Sequence, residues 1–282
     1  MKTNSAIDDF FQRRWPNGFV CPRCDYNYYY TIRTRKAPLY QCRLCRHQTS
    51  VTAGTIMDKS RTPLEKWTAA IDLLSSSNGL NGVQLSAAIG VSHKVAWTML
   101  SKFRGAIQEV EVERKLAGTV HFGLRALAPA AIFTFLAHRR YRCERVVGIS
   151  AAVDSFGHPT VLKINVVRNE DLRHGWKEVT REGRTRISGE ISTPHTDIHW
   201  LSDYEMERSP LLECYQEASR WLNRHFNGIG SAHLQSYLDE FSFRWNASTK
   251  GISLRDQWNS LCFLRTNRKH ATEPSRSVSA AA

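Results

Sequence analysis

CPRCDYNYYYTIRTRKAPLYQCRLC, residues 21–45, carries two CxxC hooks, Cys21 with Cys24 and Cys42 with Cys45, separated by seventeen residues. The two thiolates of a CxxC can converge on one ion from a single tight turn. Two such turns at the tips of facing hairpins complete a tetrahedral sulfur shell, and this is the spacing of a zinc ribbon. A closed shell leaves no open coordination position, so the Zn2+ expected here is structural. A redox CxxC would not need the second pair. Between the hooks, aromatic and β-branched residues alternate with basic ones, the pattern of strands. A ribbon is expected over residues 10–55.

Outside that stretch, 282 residues are enough for roughly two domains with real cores. The 39 Lys and Arg against 26 Asp and Glu give a net charge of +13, and the pI is about 9.6, so a polyanion is the first partner to consider. Seven cysteines is an odd number, and MKTNSAIDDFFQRRWPNGF has no apolar core of a signal peptide, so a reducing, cytoplasmic compartment is expected. Cys143, Cys214 and Cys262 are dispersed and read as buried or free thiols. No apolar run approaches a membrane span; AAIFTFLA is far too short. The final residues, 267–282, read as a disordered tail.

After the hooks, SVTAGTIMDKSRTP reads as a linker ending at Pro63, which suits the first turn of a helix. Leu64, Trp67, Ile71 and Leu74 then recur at helical spacing. A short helix carrying Leu85, Ala88 and Ile89 follows; Gly90 permits a sharp turn, and Ser92 sits where it would cap a third helix over about His93–Arg104. Val95, Ala96, Met99, Leu100 and Phe103 form the buried face of that helix. Such a layout over residues 60–110 is that of a helix-turn-helix, although any small helical bundle can show it. Lys94, Lys102 and Arg104 would meet phosphate, while His93 and Thr98 are better placed for base edges of double-stranded DNA.

From about residue 118 the pattern turns to strands. VVGISAAVDSFGHPTVLKINVV reads as a β-hairpin around DSFGHP. NEDLRHGWKEVTREGRTRISGEISTP is polar and weakly patterned, and a closing helix is expected from Ala232, His233, Tyr237, Leu238 and Phe241.

Taken together, RWPNGFVCPRC, YQCRLCRHQTSVTAGTIMDKSRTPLEKW, AWTMLSKFR and HFNGIGSAHLQSYLDEFSFRWN resemble the IS1595 family of insertion-sequence transposases with an ISXO2-like catalytic domain. The resemblance covers residues 10–105 and 221–246 well and 146–167 loosely. It implies a multidomain α+β chain: zinc ribbon, helix-turn-helix, and an incomplete RNase H-like α/β domain over 116–266. It also implies a bacterial, nucleoid-associated protein that binds element ends and target DNA, with a homo-oligomer on paired ends. In that family acidic residues hold Mg2+ and cut and rejoin DNA strands. Two-metal chemistry needs two or three carboxylates or amides meeting at one sheet edge.

The family's first Asp lies in a motif like VEVDE. This chain has GTVHFGLRAL there, with His121 and Gly123 where a carboxylate would fall, and Asp154 is the nearest later Asp. The second family Asp, in a motif like HTD, corresponds to Asp197 in HTDIHW, with Asp203 as competitor. Glu217 falls near the third position, with Arg220 near the family's Lys, although a plain amphipathic helix also accounts for Glu217. Glu240 reads as a scaffold residue pairing with Arg244 one turn on, and His233 as packing. The expected function is therefore a transposase lacking its first catalytic Asp. The alternative is a non-catalytic ribbon and helix-turn-helix DNA binder, a repressor or inactive remnant.

Overall fold

A computed structural model describes residues 2–34, 37–127, 145–173, 178–226, 229–230 and 232–263, without the side chains of residues 2–5. The 267–282 tail, Cys143 and AAIFTFLA lie outside them.

Helix α1 (Lys2–Arg14) precedes a three-stranded antiparallel sheet of β1 (Tyr29–Ile32), β2 (Leu39–Cys42) and β3 (Gln48–Thr49), in that order. The aromatic residues between the hooks explain why so small a sheet packs. Tyr29 and Tyr40 turn inward against Phe11, Trp15 and Phe19, with ring centroids 4.8 to 6.4 Å apart. Helix α1 was not legible as part of this unit. Its Arg14 guanidinium ties it down, donating to the carbonyls of Ser50, Val51 and Ala53 at 2.6 to 2.8 Å.

Three helices follow: α2 (Leu64–Ser76), α3 (Gly82–Ile89) and α4 (His93–Glu113). Their ends are set locally. Asn81 and Gln84 form a capping box at the start of α3. Gly90 closes it at φ 62, and the Ser92 hydroxyl accepts the Val95 amide to start α4. Helix α4 runs two turns beyond the expected Arg104, because Ala106 and Ile107 continue its buried stripe.

The second sheet has the order β6-β5-β4-β7, built from β4 (Thr119–Leu127), β5 (Arg145–Val153), β6 (Pro159–Val166) and β7 (Asp197–Trp200). The first three strands are antiparallel, with DSFGHP turning β5 into β6, while β7 lies parallel against β4. A parallel neighbour requires a crossover. It is supplied by α5 (Arg181–Ile191), which the Thr180 hydroxyl caps and which arises in the polar stretch that periodicity left unassigned. Helices α6 (Asp203–Met206), α7 (Pro210–His225), α8 (Leu234–Thr249) and α9 (Leu254–Phe263) complete the described residues. Ala232 and His233 precede α8 rather than lying in it, and His233 packs edge-on against Trp97.

Helix α8 holds the halves together. Its Asn246 amide pairs with both the N–H and the C=O of Leu162, and Gln235 does the same for Val166 and Ile164, so the outer edge of β6 is sealed by side chains. On its other face, Glu240 accepts from Arg244, as the spacing implied, and also from Arg104 of α4 at 2.8 Å. Arg244 reaches on to the carbonyls of Leu74 and Ser77 at the end of α2. Helix α9 joins the core of the N-terminal half, where Trp258 meets Phe103 and Phe243. Among the described residues no helix is long and apolar enough to cross a membrane.

Candidate functional site

The two hooks come together as their spacing requires. Each closes on a left-handed residue just after its second cysteine, Asp25 at φ 57 and Arg46 at φ 58, whose amides bond back to Cys21 and Cys42. The register Tyr29↔Cys42 then faces one hook with the other. Cys21 and Cys45 Sγ are 3.6 Å apart, as are those of Cys24 and Cys42, and all four sulfurs lie within 4.8 Å of one another. Zn–S bonds of about 2.3 Å in a tetrahedron place sulfurs roughly 3.8 Å apart, so the cage fits Zn2+. Burial pushes the Cys42 thiol up. The backbone amides of Cys45 and Leu44, with the Cys24 and Cys45 thiols, outweigh it and bring the group down to about 7. Amides aimed at a sulfur stabilise the thiolate that a metal needs.

Beside the cage, Tyr28, just before β1, and Tyr30 on it stand 63% and 58% exposed, and the Arg43 guanidinium lies 4.6 Å from the Tyr30 ring centre. The sequence showed these tyrosines, but alternation alone did not tell which face they take.

On α4, His93, Lys94 and Thr98 are exposed along the first two turns. The other two expected contacts, further along α4, do not share that exposure. Lys102 is half-buried, its Nζ donating to the Asp58 carbonyl at 2.9 Å. Arg104 is only 5% exposed and engaged by Glu240, so the reading of Arg104 as a phosphate contact is corrected. Burial closes this guanidinium, whose Nε donates to the carboxylate at 2.8 Å, to a phosphate approaching from solvent. Trp97 was missed: it is 49% exposed between Lys94 and Thr98, on a helix whose other aromatic, Phe103, is buried.

The acids behave differently. Asp197 is exposed at the start of β7, opposite Thr119. Glu217 is exposed on α7, and no hydrogen bond or ion pair joins it to Asp197. Asp203 pairs with Arg125. Asp154 lies at the β5–β6 turn, accepting the Phe156 and His158 amides at 2.9 Å. Opposite one another in the β4–β7 register stand His121 and His199, with ring centroids 5.5 Å apart. His199 Nε2 lies 3.3 Å from Glu205 on α6. Burial and the charge of His199 hold the His121 imidazole below the usual histidine range, and the Ser202 amide and hydroxyl hold Glu205 below the usual carboxylate range.

Residues 4–48 match the IS1595 transposase zinc-ribbon domain. The matched stretch runs from α1 through the second hook, so the four-thiolate cage belongs to a ribbon of transposase type. No curated protein and no solved structure matches the chain.

Mg2+ was expected from the resemblance to IS1595 transposases and asks for hard oxygen ligands in near-octahedral array. Among the described residues the four cysteines, which offer sulfur, are the one group of three or more His, Cys, Asp or Glu side chains whose ligand atoms lie within 4.8 Å of one another. Asp197 and Glu217 form no such group, and the centre of the β4–β7 edge presents imidazole nitrogens instead. The described residues do not fit Mg2+.

Proposed function

We propose that this chain is a DNA-binding protein of transposase descent. In this reading the ribbon (10–55) and a helix-turn-helix (60–110, α2–α4) grip duplex DNA at the ends of an insertion sequence, with two copies on paired ends. The remainder (116–266) is an incomplete RNase H-like domain serving as scaffold. The observation that carries the reading is the first two turns of α4: His93, Lys94, Trp97 and Thr98 lie exposed on a helix whose N-terminus is capped and whose back is sealed in the core. Lys94 supplies phosphate charge and His93 and Thr98 reach base edges. The ribbon's exposed tyrosines and Arg43 add a basic, aromatic surface of the kind nucleic acids bind.

The test is titration of the zinc-loaded chain with a terminal-repeat duplex and a scrambled duplex over a salt series. Preference for the repeat, with affinity falling linearly in log–log salt, supports the reading; equal, weak binding to both overturns it. A second reading, an active transposase using Asp197 and Glu217 with Mg2+, draws on the place of Asp197 on β7, beside the strand where the family carries its first Asp. Mg2+-dependent cleavage at the element ends that is lost in Asp197→Ala would favour it over the binder.

A further inference from the structure

The outward face of the ribbon sheet carries aromatic surface that the core does not use. The registers Tyr30↔Gln41, Gln41↔Gln48 and Tyr40↔Thr49 sort its strands into two faces. One face turns Tyr29, Tyr40 and Thr49 inward. The other carries Tyr30, Gln41 and Gln48, and one step beyond the ladder Tyr28 stands against Arg43, whose amide donates to the Tyr28 carbonyl at 3.0 Å. Tyr26 continues the row, its ring centre 5.7 Å from that of Tyr28. A single exposed aromatic is ordinary on a protein surface, but three in one row make a patch.

The chemistry of the patch selects its occupant. Residues 21–48 carry six Lys and Arg against one acid, Asp25, so the ligand is anionic. The tyrosine rings, one of them beside the Arg43 guanidinium, ask for flat π surfaces. DNA meets both demands only when unpaired. Side chains on one face of a strand stand about 6.6 Å apart, twice the ~3.4 Å per nucleotide of each duplex strand. Bases that follow such a row are pulled out of their own stack, which a duplex does not permit. Gln41 and Gln48 amides offer donors and acceptors to the base edges that pairing would hide. We propose that this face binds single-stranded DNA, with bases stacked on Tyr28 and Tyr30 and Arg43 beside the phosphates. This role rests on the DNA-binding reading and gives the ribbon its own form of DNA: α4 holds a duplex, and the ribbon takes an unpaired strand.

The zinc-loaded full-length chain is titrated by fluorescence anisotropy with labelled oligothymidylate, oligouridylate of the same length and the terminal-repeat duplex. The expected result is saturable binding of oligothymidylate that Tyr28→Ala/Tyr30→Ala weakens at least about tenfold, with a several-fold smaller loss on the duplex. Tyr28→Phe/Tyr30→Phe keeps the π faces and should restore binding of the oligomer. Arg43→Ala should reduce the salt slope on the oligomer by about 0.7. Phe156→Ala, at a ring 85% exposed on the β5–β6 turn, is the control. An unchanged affinity in the alanine pair, an equal loss in the phenylalanine pair, an equal loss on the duplex, or tighter binding of oligouridylate would each overturn the role. A chain that binds the duplex but not oligothymidylate overturns this role alone; one that binds neither overturns the DNA-binding reading with it. Zinc content and thermal unfolding verify the fold of each variant, and Tyr28→Ala alone stands in for the pair if the pair loses zinc.

Discussion

The four-thiolate cage and the histidine edge of the second sheet are assembled on different length scales. In the cage each pair of ligands is three residues apart, and a short antiparallel register joins the two hooks. At the sheet edge His121 and His199 become neighbours only when a helical crossover returns β7 to β4, and Glu205 arrives only when Met206 settles over Gly123. The cage depends on its own turns. A pairing built from distant segments depends on the stability of everything around it.

The largest test of that contrast is metal removal. Structural zinc contributes an apparent ~10–16 kcal/mol to folding in small fingers at neutral pH. Chelation or Cys42→Ala should therefore melt the ribbon, read as proteolytic cleavage within residues 18–50, while the circular dichroism of α7 and α8 persists. A ribbon that stays protected without metal would show that α1 and its aromatic cluster suffice, and the contrast would weaken.

Next comes the clamp joining the halves. Glu240 is buried and held below the usual carboxylate range: burial works against ionisation, but the Arg104 and Arg244 charges outweigh it. Glu240→Ala leaves two buried guanidiniums uncompensated and should cost about 3–5 kcal/mol in urea unfolding. Since the folded-state value is depressed, the carboxylate's contribution is present above the unfolded-state value near 4.5 and is lost as pH falls through the lower folded-state value.

Glu111 runs in the opposite sense. It is 2% exposed on α4 with both oxygens lacking a hydrogen bond, although Arg114 Nε is 3.1 Å away. Burial drives it from 4.5 to about 7. The folded chain keeps a proton that the unfolded chain releases across that window, so stability falls as pH rises from about 4.5 to 7 and the full cost remains above it. Glu111→Gln should stabilise by up to about 3 kcal/mol at pH 8 and change little at pH 4, measured as a shift in urea midpoint. A stabilisation equal at both pH values would point to packing instead of charge.

The smallest effect belongs to the surface. Lys94→Ala should leave the fold intact and lower the salt slope of DNA binding by about 1. An unchanged slope would remove α4 from the interface.

How much of this was legible follows from the reach of each interaction. Gly90 and Ser92 announced the turn and the start of α4 because their partners lie within five residues. DSFGHP announced its hairpin for the same reason. The character of Arg104 did not show, since helical periodicity treats every arginine as solvent-facing and its carboxylate partner lies 136 residues on. Helix α5 escaped because only three of its eleven residues are buried, two of them apolar, too few for a periodic stripe. In HTDIHW the sequence alone singles out the acid, Asp197. The residue that meets β4's histidine is His199, two positions later, and only the strand register could tell them apart.

By itself, then, the sequence determined the cage, the caps and the hairpin, because backbone turns and capping bonds are closed by residues a few positions apart. The clamp through Glu240, the sealing of β6 by α8 and the pairing of His121 with His199 were decided by tertiary structure. Each joins groups separated by 69 residues or more, and burial and register, which no short window of sequence encodes, select which of many like side chains meet.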